Sequence, residues 1–200
     1  MAPTLRLAPD APPPAADGRR RRSQDSRARI VTALLELVAE GSVSPGAEAV
    51  AARAGVGLRT VFRHFSDMDG LYREMAAHVE QAFLQGLSQP LAATDWRERV
   101  LEMLHRRITV YEKIAPFRRA GDAHRHRSAF ITGNQARFAA VTREMLDRHL
   151  PAEARRDPQL IEALDLLLSF EAWNRLRQEQ RLSTRRAAEL LEALVRRQLG

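Results

Sequence analysis

The stretch Val50–Tyr72, VAARAGVGLRTVFRHFSDMDGLY, constrains the fold more than any other part of the chain. Ala51, Ala52 and Ala54 mark a short helix of small residues. Gly55 follows where a helix C-terminus often needs a left-handed residue without a Cβ penalty. Val56 is apolar in the turn and should point inward. Over Leu58 to Phe65 a second short helix sets Val61 and Phe65 four apart on one face, and Arg59 and Arg63 four apart on another. An apolar back and an arginine front, braced by a compact helix–turn unit, suit a helix that lies in a DNA major groove.

Charge agrees with that reading. The formal net charge is +7, which favours a polyanionic partner. Lys113 is the only lysine among the basic residues. Since genomic GC bias alone raises arginine content, the argument rests on where the arginines stand rather than on their number. The absence of cysteine excludes disulfides and thiolate metal sites. No apolar run approaches the roughly 18 residues that span a bilayer. The N-terminus lacks the apolar core of a secretory signal, so a cytoplasmic location is expected. At 200 residues the chain has room for one or two compact units.

Ala51, Ala54-Gly55-Val56, Thr60-Val61-Phe62, His64-Phe65 and Leu71, in that order, resemble the DNA-binding domain of the TetR (tetracycline-repressor-like) family of bacterial transcriptional regulators. The motif covers Arg27 to Met75, and the rest of the chain is similar only in helical pattern and length. The resemblance implies an all-α fold. An N-terminal three-helix domain with a helix-turn-helix would stand before a C-terminal helical bundle for ligand binding and dimerisation. It also implies that the fourth helix carries the signal between the two.

The rest of the chain divides readily. Residues 1–22 carry Pro3, Pro9, Pro12, Pro13 and Pro14, then the run Arg19, Arg20, Arg21, Arg22, and read as a disordered arm whose arginines either meet DNA phosphate or a minor groove or form a solvated tail with no specific contact. The helix-turn-helix domain takes residues 23–70 and the ligand and dimerisation domain 71–200. About nine helices are expected and, with no period-two alternation, no sheet. The first starts near Ser23 or Asp25 and ends at Gly41. The second starts at Ser44-Pro45 and the third is Leu58 to Phe65. The fourth is capped by Ser66 or Asp67 and stops at Pro90. A fifth runs from Thr94 or Asp95 to about Lys113, a short sixth starts at Pro116, and residues 121–127 form a loop. The seventh runs from about Ala129 to Leu150. The eighth runs from Asp157-Pro158 to about Arg181, and the ninth is capped by Ser183. Leu160, Ile161, Leu164, Leu166, Leu167, Leu168, Phe170 and Trp173 make the eighth apolar over too wide an arc for a surface helix. A homodimer through the eighth and ninth helices, as in the family, accounts for that arc, with a helix well buried inside a monomer as the alternative.

For DNA, Arg59 and Arg63 are the leading candidates, because a guanidinium can bond guanine N7 and O6 in a bidentate way. Thr60 and His64 are placed at phosphates, with packing against the first helix as the alternative for His64. Leu58 is placed against thymine methyls. Phe62 stands where the family usually has a phosphate-binding Tyr. Pro45-Gly46, Gly57 and Met68 likewise replace a Thr or Ser, a Ser or Thr cap and a Lys. Those departures shift affinity onto the arginines.

No catalytic residue, metal ligand or cofactor is implied. Gly55-Val56-Gly57 follows no strand and lacks a third glycine, so it is not a nucleotide loop. Glu102 and His105 have the spacing of a di-iron motif but occur once, and His124 and His126 are two apart in a loop. The expected function is a regulator, most often a repressor, that a small molecule releases from a palindromic operator. By resemblance the pocket candidates are Met103, Tyr111, Phe117, Phe130, Phe138 and Trp173, with core filling as the alternative for each. Two other readings remain. One is a DNA-binding protein with no effector, architectural or partner-dependent. The other is a helical small-molecule-binding protein with a weakened DNA domain.

Overall fold

The structure, a computed structural model, describes residues 14–124 and 128–200. Among these residues the regular structure is helical, with α1 (Pro14–Ala39), α2 (Ala47–Ala54), α3 (Leu58–Phe65), α4 (Met68–Leu87), α5 (Trp96–His124), α6 (Ala129–Asp147), α7 (Pro158–Leu167), α8 (Phe170–Asn174) and α9 (Thr184–Leu199). The all-α fold expected from the sequence is the fold observed.

Two cores share one helix. The first gathers Ile30, Leu34 and Val38 of α1, Val50 and Ala51 of α2, Val61 and Phe65 of α3, and Leu71, Tyr72 and Met75 of α4. The second gathers Phe83 and Leu87 of α4 with the inner faces of α5 to α9, around Tyr111, Leu146, Leu164 and Trp173. Val79 packs against both. Ala120 of α5 and Ile131 of α6 reach into the first core, so the head is packed on the body and not strung from it.

The caps explain most of the boundaries. The Asp67 carboxylate accepts from Gly70 N at 2.8 Å to start α4, and Asp95 accepts from Arg97 N at 2.9 Å to start α5. Asp157 and Ser183 do the same for α7 and α9. The α4–α5 pair approaches closely because of Gly86. A Cβ there would stand 2.6 Å from Val110 Cγ2.

Four expectations need correction. Residues 14–22, assigned to a disordered arm, continue α1, which starts at Pro14. Proline suits a first helical position, and arginine is a good helix former. Residues 1–13 lie outside the described residues. Helix α2 starts at Ala47 with Gly46 as N-cap, so Ser44 and Pro45 precede it. Pro116 does not start a new helix: it sits inside α5, which continues through part of the expected loop to His124. Residues 125–127 of that loop lie outside the described residues. The expected eighth helix is divided, because α7 ends at Leu167, Ser169 caps α8, and Arg175–Glu179 is one turn of π-helix.

Candidate nucleic-acid interface

The turn before α3 is fixed by backbone chemistry. Gly55 has φ 63° and ψ 40°, in the left-handed region. Its N–H bonds Ala52 O at 3.2 Å, while Val56 N bonds Ala51 O at 3.0 Å. Together these are the paired bonds of a Schellman motif. Val56 is half-buried against the head core, as its place in the turn implied. The chain thereby leaves α2 at a fixed angle and enters α3.

Helix α3 has two unlike sides. Val61 and Phe65 are 1% and 4% exposed and lock its back to α1, α2 and α4. Leu58 and Phe62 are 38% and 41% exposed, beside the exposed Arg59 and Arg63. No side chain caps the Gly57 end of α3, so its first N–H groups are left to solvent or an incoming anion.

The arginines of the head divide into two sets. Arg53 pairs with Glu36 and Glu40, Arg73 with Asp69, and Arg27 with Glu74. Among the described residues Arg59 and Arg63 have no ion-pair partner, and neither do the exposed Arg20 and Arg21 on the first turns of α1. Arg22 is also exposed on α1. The side chain of Arg19 lies outside the described residues. Guanidiniums committed to carboxylates brace the head, whereas Arg59, Arg63, Arg20, Arg21 and the exposed Arg29 of α1 have no such commitment among the described residues.

Thr60 is half-buried on α3. His64 is half-buried too, its Nε2 enclosed without a partner among the described residues. Burial, with the charges of Arg63 and Arg27 beside it, holds its imidazole below the ordinary value, so it is neutral at neutral pH. A neutral, enclosed ring accords with packing better than with a phosphate contact.

Arg27 is a residue that sequence reasoning missed. It donates to the C-terminal carbonyl of His64 at 2.9 Å and holds Glu74 of α4. Only its place at the edge of the family motif hinted at a role.

The six pocket candidates do not line one cavity. Phe117 and Phe138 border a void of about 30 Å³ between α4, α5 and α6, room for a water or two. Tyr111 and Trp173 are each 1% exposed in the second core, with Tyr111 Oη donating to Leu168 O and Trp173 Nε1 to Glu112. Phe130 is 44% exposed. Met103 borders a separate cavity of about 180 Å³ at the far end of α4. No described helix is long and apolar enough to cross a membrane, and no cluster of potential metal ligands occurs among the described residues.

Residues 30–75 match the family described as bacterial regulatory proteins, tetR family. No curated protein matches the chain. Solved structures do. A TetR-family transcriptional regulator from Syntrophomonas wolfei str. Goettingen, described as putative, has TM-score 0.60 at 15% identity, over 88% of this chain and 96% of that one. A TetR-like transcriptional regulator from Rhodococcus sp. RHA1 has TM-score 0.55 at 18% identity, over 89% of this chain and 95% of that one. Regulators of this family bind DNA and are not enzymes. Residues 30–75 therefore match the tetR family of bacterial regulatory proteins, and the chain as a whole has the fold of the solved TetR-like regulators.

Proposed function

We propose that this protein is a dimeric, ligand-responsive repressor that reads a palindromic operator through α3. The observation that carries the reading is the outward side of α3, where unpaired Arg59 and Arg63 flank exposed Leu58 and Phe62 on a helix whose back is locked. The guanidiniums supply phosphate or guanine contacts and the apolar pair supplies contact with thymine methyls. Exposed Arg20 and Arg21 of early α1 add positive charge for the DNA backbone.

The dimer is supported by the C-terminal helices. Leu166 is 65% exposed and Leu190 38%. A groove of about 430 Å³ bordered by Leu166, Leu167, Ala172, Leu176, Leu191 and Leu194 runs between α7, α8 and α9. The apolar arc of these helices is thus not consumed within one protomer, and a second copy covers it with the same surface. Two heads then meet half-sites about one helical turn apart. An effector that shifts α4 changes that spacing and lowers affinity.

The test is selection of enriched sites from random duplexes, followed by gel-shift titration of the double variant Arg59→Ala/Arg63→Ala. The expected result is an inverted repeat, bound by the native protein and lost in the folded variant. Enrichment of no sequence, or undiminished binding by the variant, overturns the reading.

A further inference from the structure

We propose that the cavity beneath the α4–α5 connection is the effector site, and that it takes a ring-sized, mostly apolar compound bearing one hydroxyl or N–H group, of the phenol or indole class. This rests on the ligand-responsive reading above and supplies its place and chemistry.

Size is the first argument. The void beside Phe117 and Phe138 holds about 30 Å³, while the one bordered by Leu87, Leu91, Met103, Arg106, Met145 and His149 holds about 180 Å³. A dry cavity of about 150 Å³ is enough for benzene. A single aromatic ring therefore fits the second void and not the first.

The walls give the chemistry. Leu87, Leu91, Met103 and Met145 make the lining more apolar than polar, and methionine adapts its shape to a ring and favours contact with its edge. Arg106 is already spent: it donates to Gln89 O, to Pro90 O at 2.7 Å and to Glu102. Glu102 in turn accepts Ala92 N at 2.9 Å and Ala93 N at 3.0 Å. This clasp holds the connection over the void and commits Arg106 to Glu102, so a carboxylate finds no uncommitted cation among the described lining residues. His149 is different, since no hydrogen bond to its imidazole occurs among the described residues. Burial, with Arg99 and Arg148 nearby, holds it below the ordinary value and hence neutral. A neutral imidazole offers one donor and one acceptor, the complement of a hydroxyl or an indole N–H.

Position supplies the coupling. The cavity abuts Leu87 in the last turn of α4, and the same helix carries Leu71 and Tyr72 into the head core. Gly86 leaves α4 no space to move toward Val110. A guest that presses on the last turn therefore tilts the helix about that contact.

The experiment is calorimetric titration of the free protein with phenol, indole, toluene and benzoate, repeated on Met145→Trp and, in case that variant unfolds, on Leu91→Trp. Phenol and indole are expected to bind, toluene more weakly and benzoate not at all. The filled variants should lose the binding, and His149→Phe should weaken phenol about tenfold while sparing toluene. No binding by any probe, binding undiminished in a folded filled variant, or preference for benzoate overturns the site. Because calorimetry needs no DNA, failure of operator binding is read separately and sinks the regulator reading instead. Phenol binding that leaves operator affinity unchanged overturns the effector role.

Discussion

The guanidinium carbon of Arg27 lies 4.3 Å from the centroid of the Phe65 ring, while Nη1 donates to His64 O and Nη2 pairs with Glu74. One side chain of α1 thus covers the buried aromatic of α3, closes its C-terminus and holds α4. If those contacts fix the angle of α3, they also fix how Arg59 and Arg63 are presented, and two measurements test that. Arg27→Ala should lower stability by about 1–2 kcal/mol, the sum of a partly exposed cation–π contact and one hydrogen bond, the ion pair adding little at this exposure. Operator affinity should fall several-fold more than stability alone explains, at temperatures where the variant is fully folded. Urea unfolding and gel-shift titration measure the two separately, and full affinity in the folded variant sinks the positioning role.

Gly86 and Val110 define how closely α4 and α5 approach. Alanine is the better helix former by about 1 kcal/mol, yet its Cβ would stand 2.6 Å from a stiff, β-branched methyl. Overpacking of this kind typically costs about 1–3 kcal/mol, so Gly86→Ala should be net destabilising. Val110→Ala in the same chain should recover much of the loss. A double-mutant cycle by urea unfolding measures the coupling. Additive effects would mean that the contact is not what sets the spacing.

How far the sequence foretold this molecule depended on where each signal lay. Helix α3 was legible because its instructions are local: Gly55 for the left-handed turn, Val61 and Phe65 for the back, Arg59 and Arg63 for the front. Pro116 misled because its cost is outweighed by partners distant in sequence. Ile114 and Ala115 are buried beside it, and Glu112 of the same turn is held by Trp173, Arg177 and Thr184. The break between α7 and α8 was hidden inside a leucine run. It forms where Leu168 O accepts Tyr111 Oη at 2.8 Å and Arg107 Nη1 at 3.2 Å, and where Ser169 Oγ accepts from Ala172 N. The aromatics named as pocket candidates were apolar enough for a cavity or a core, and composition does not decide between the two.

Arg107 is 0% exposed, with no ion-pair partner among the described residues and its Nε unbonded. Its charge is met by Leu168 O and by Thr142 O at 2.6 Å, and burial holds its pKa below the ordinary value. An apolar side chain of similar length removes the desolvation cost and leaves Leu168 O still bonded to Tyr111. Arg107→Met should therefore be within about 1 kcal/mol of the native protein, or more stable, whereas Arg107→Ala should lose about 3 kcal/mol through the void it leaves. Chemical denaturation of both variants decides. If methionine is as damaging as alanine, the guanidinium itself holds the break between α7 and α8.

Glu112 ties α5 to the C-terminal helices, accepting from Trp173 Nε1 and Arg177 Nε at 3.0 Å each and from Thr184 Oγ1 at 3.1 Å. Burial pushes its pKa upward, but the donors from Arg177, Thr184 and Trp173 outweigh it, and the carboxyl sits below its ordinary 4.5. A depressed folded-state pKa means that the unfolded chain takes up the proton first as pH falls. The stabilisation is whole above about 4.5 and is lost as pH drops through the lowered folded value. Glu112→Gln should therefore be less stable than the native protein at pH 7, and the gap in melting temperature should narrow as pH falls below about 4.5. Other carboxylates with lowered values, such as Glu102 and Glu162, titrate in both proteins and cancel in the difference. Thermal melts of the two proteins across pH 7 to pH 3 are the measurement. A gap of constant size would show that the charge of Glu112 contributes nothing and that shape alone holds α5 to α8 and α9.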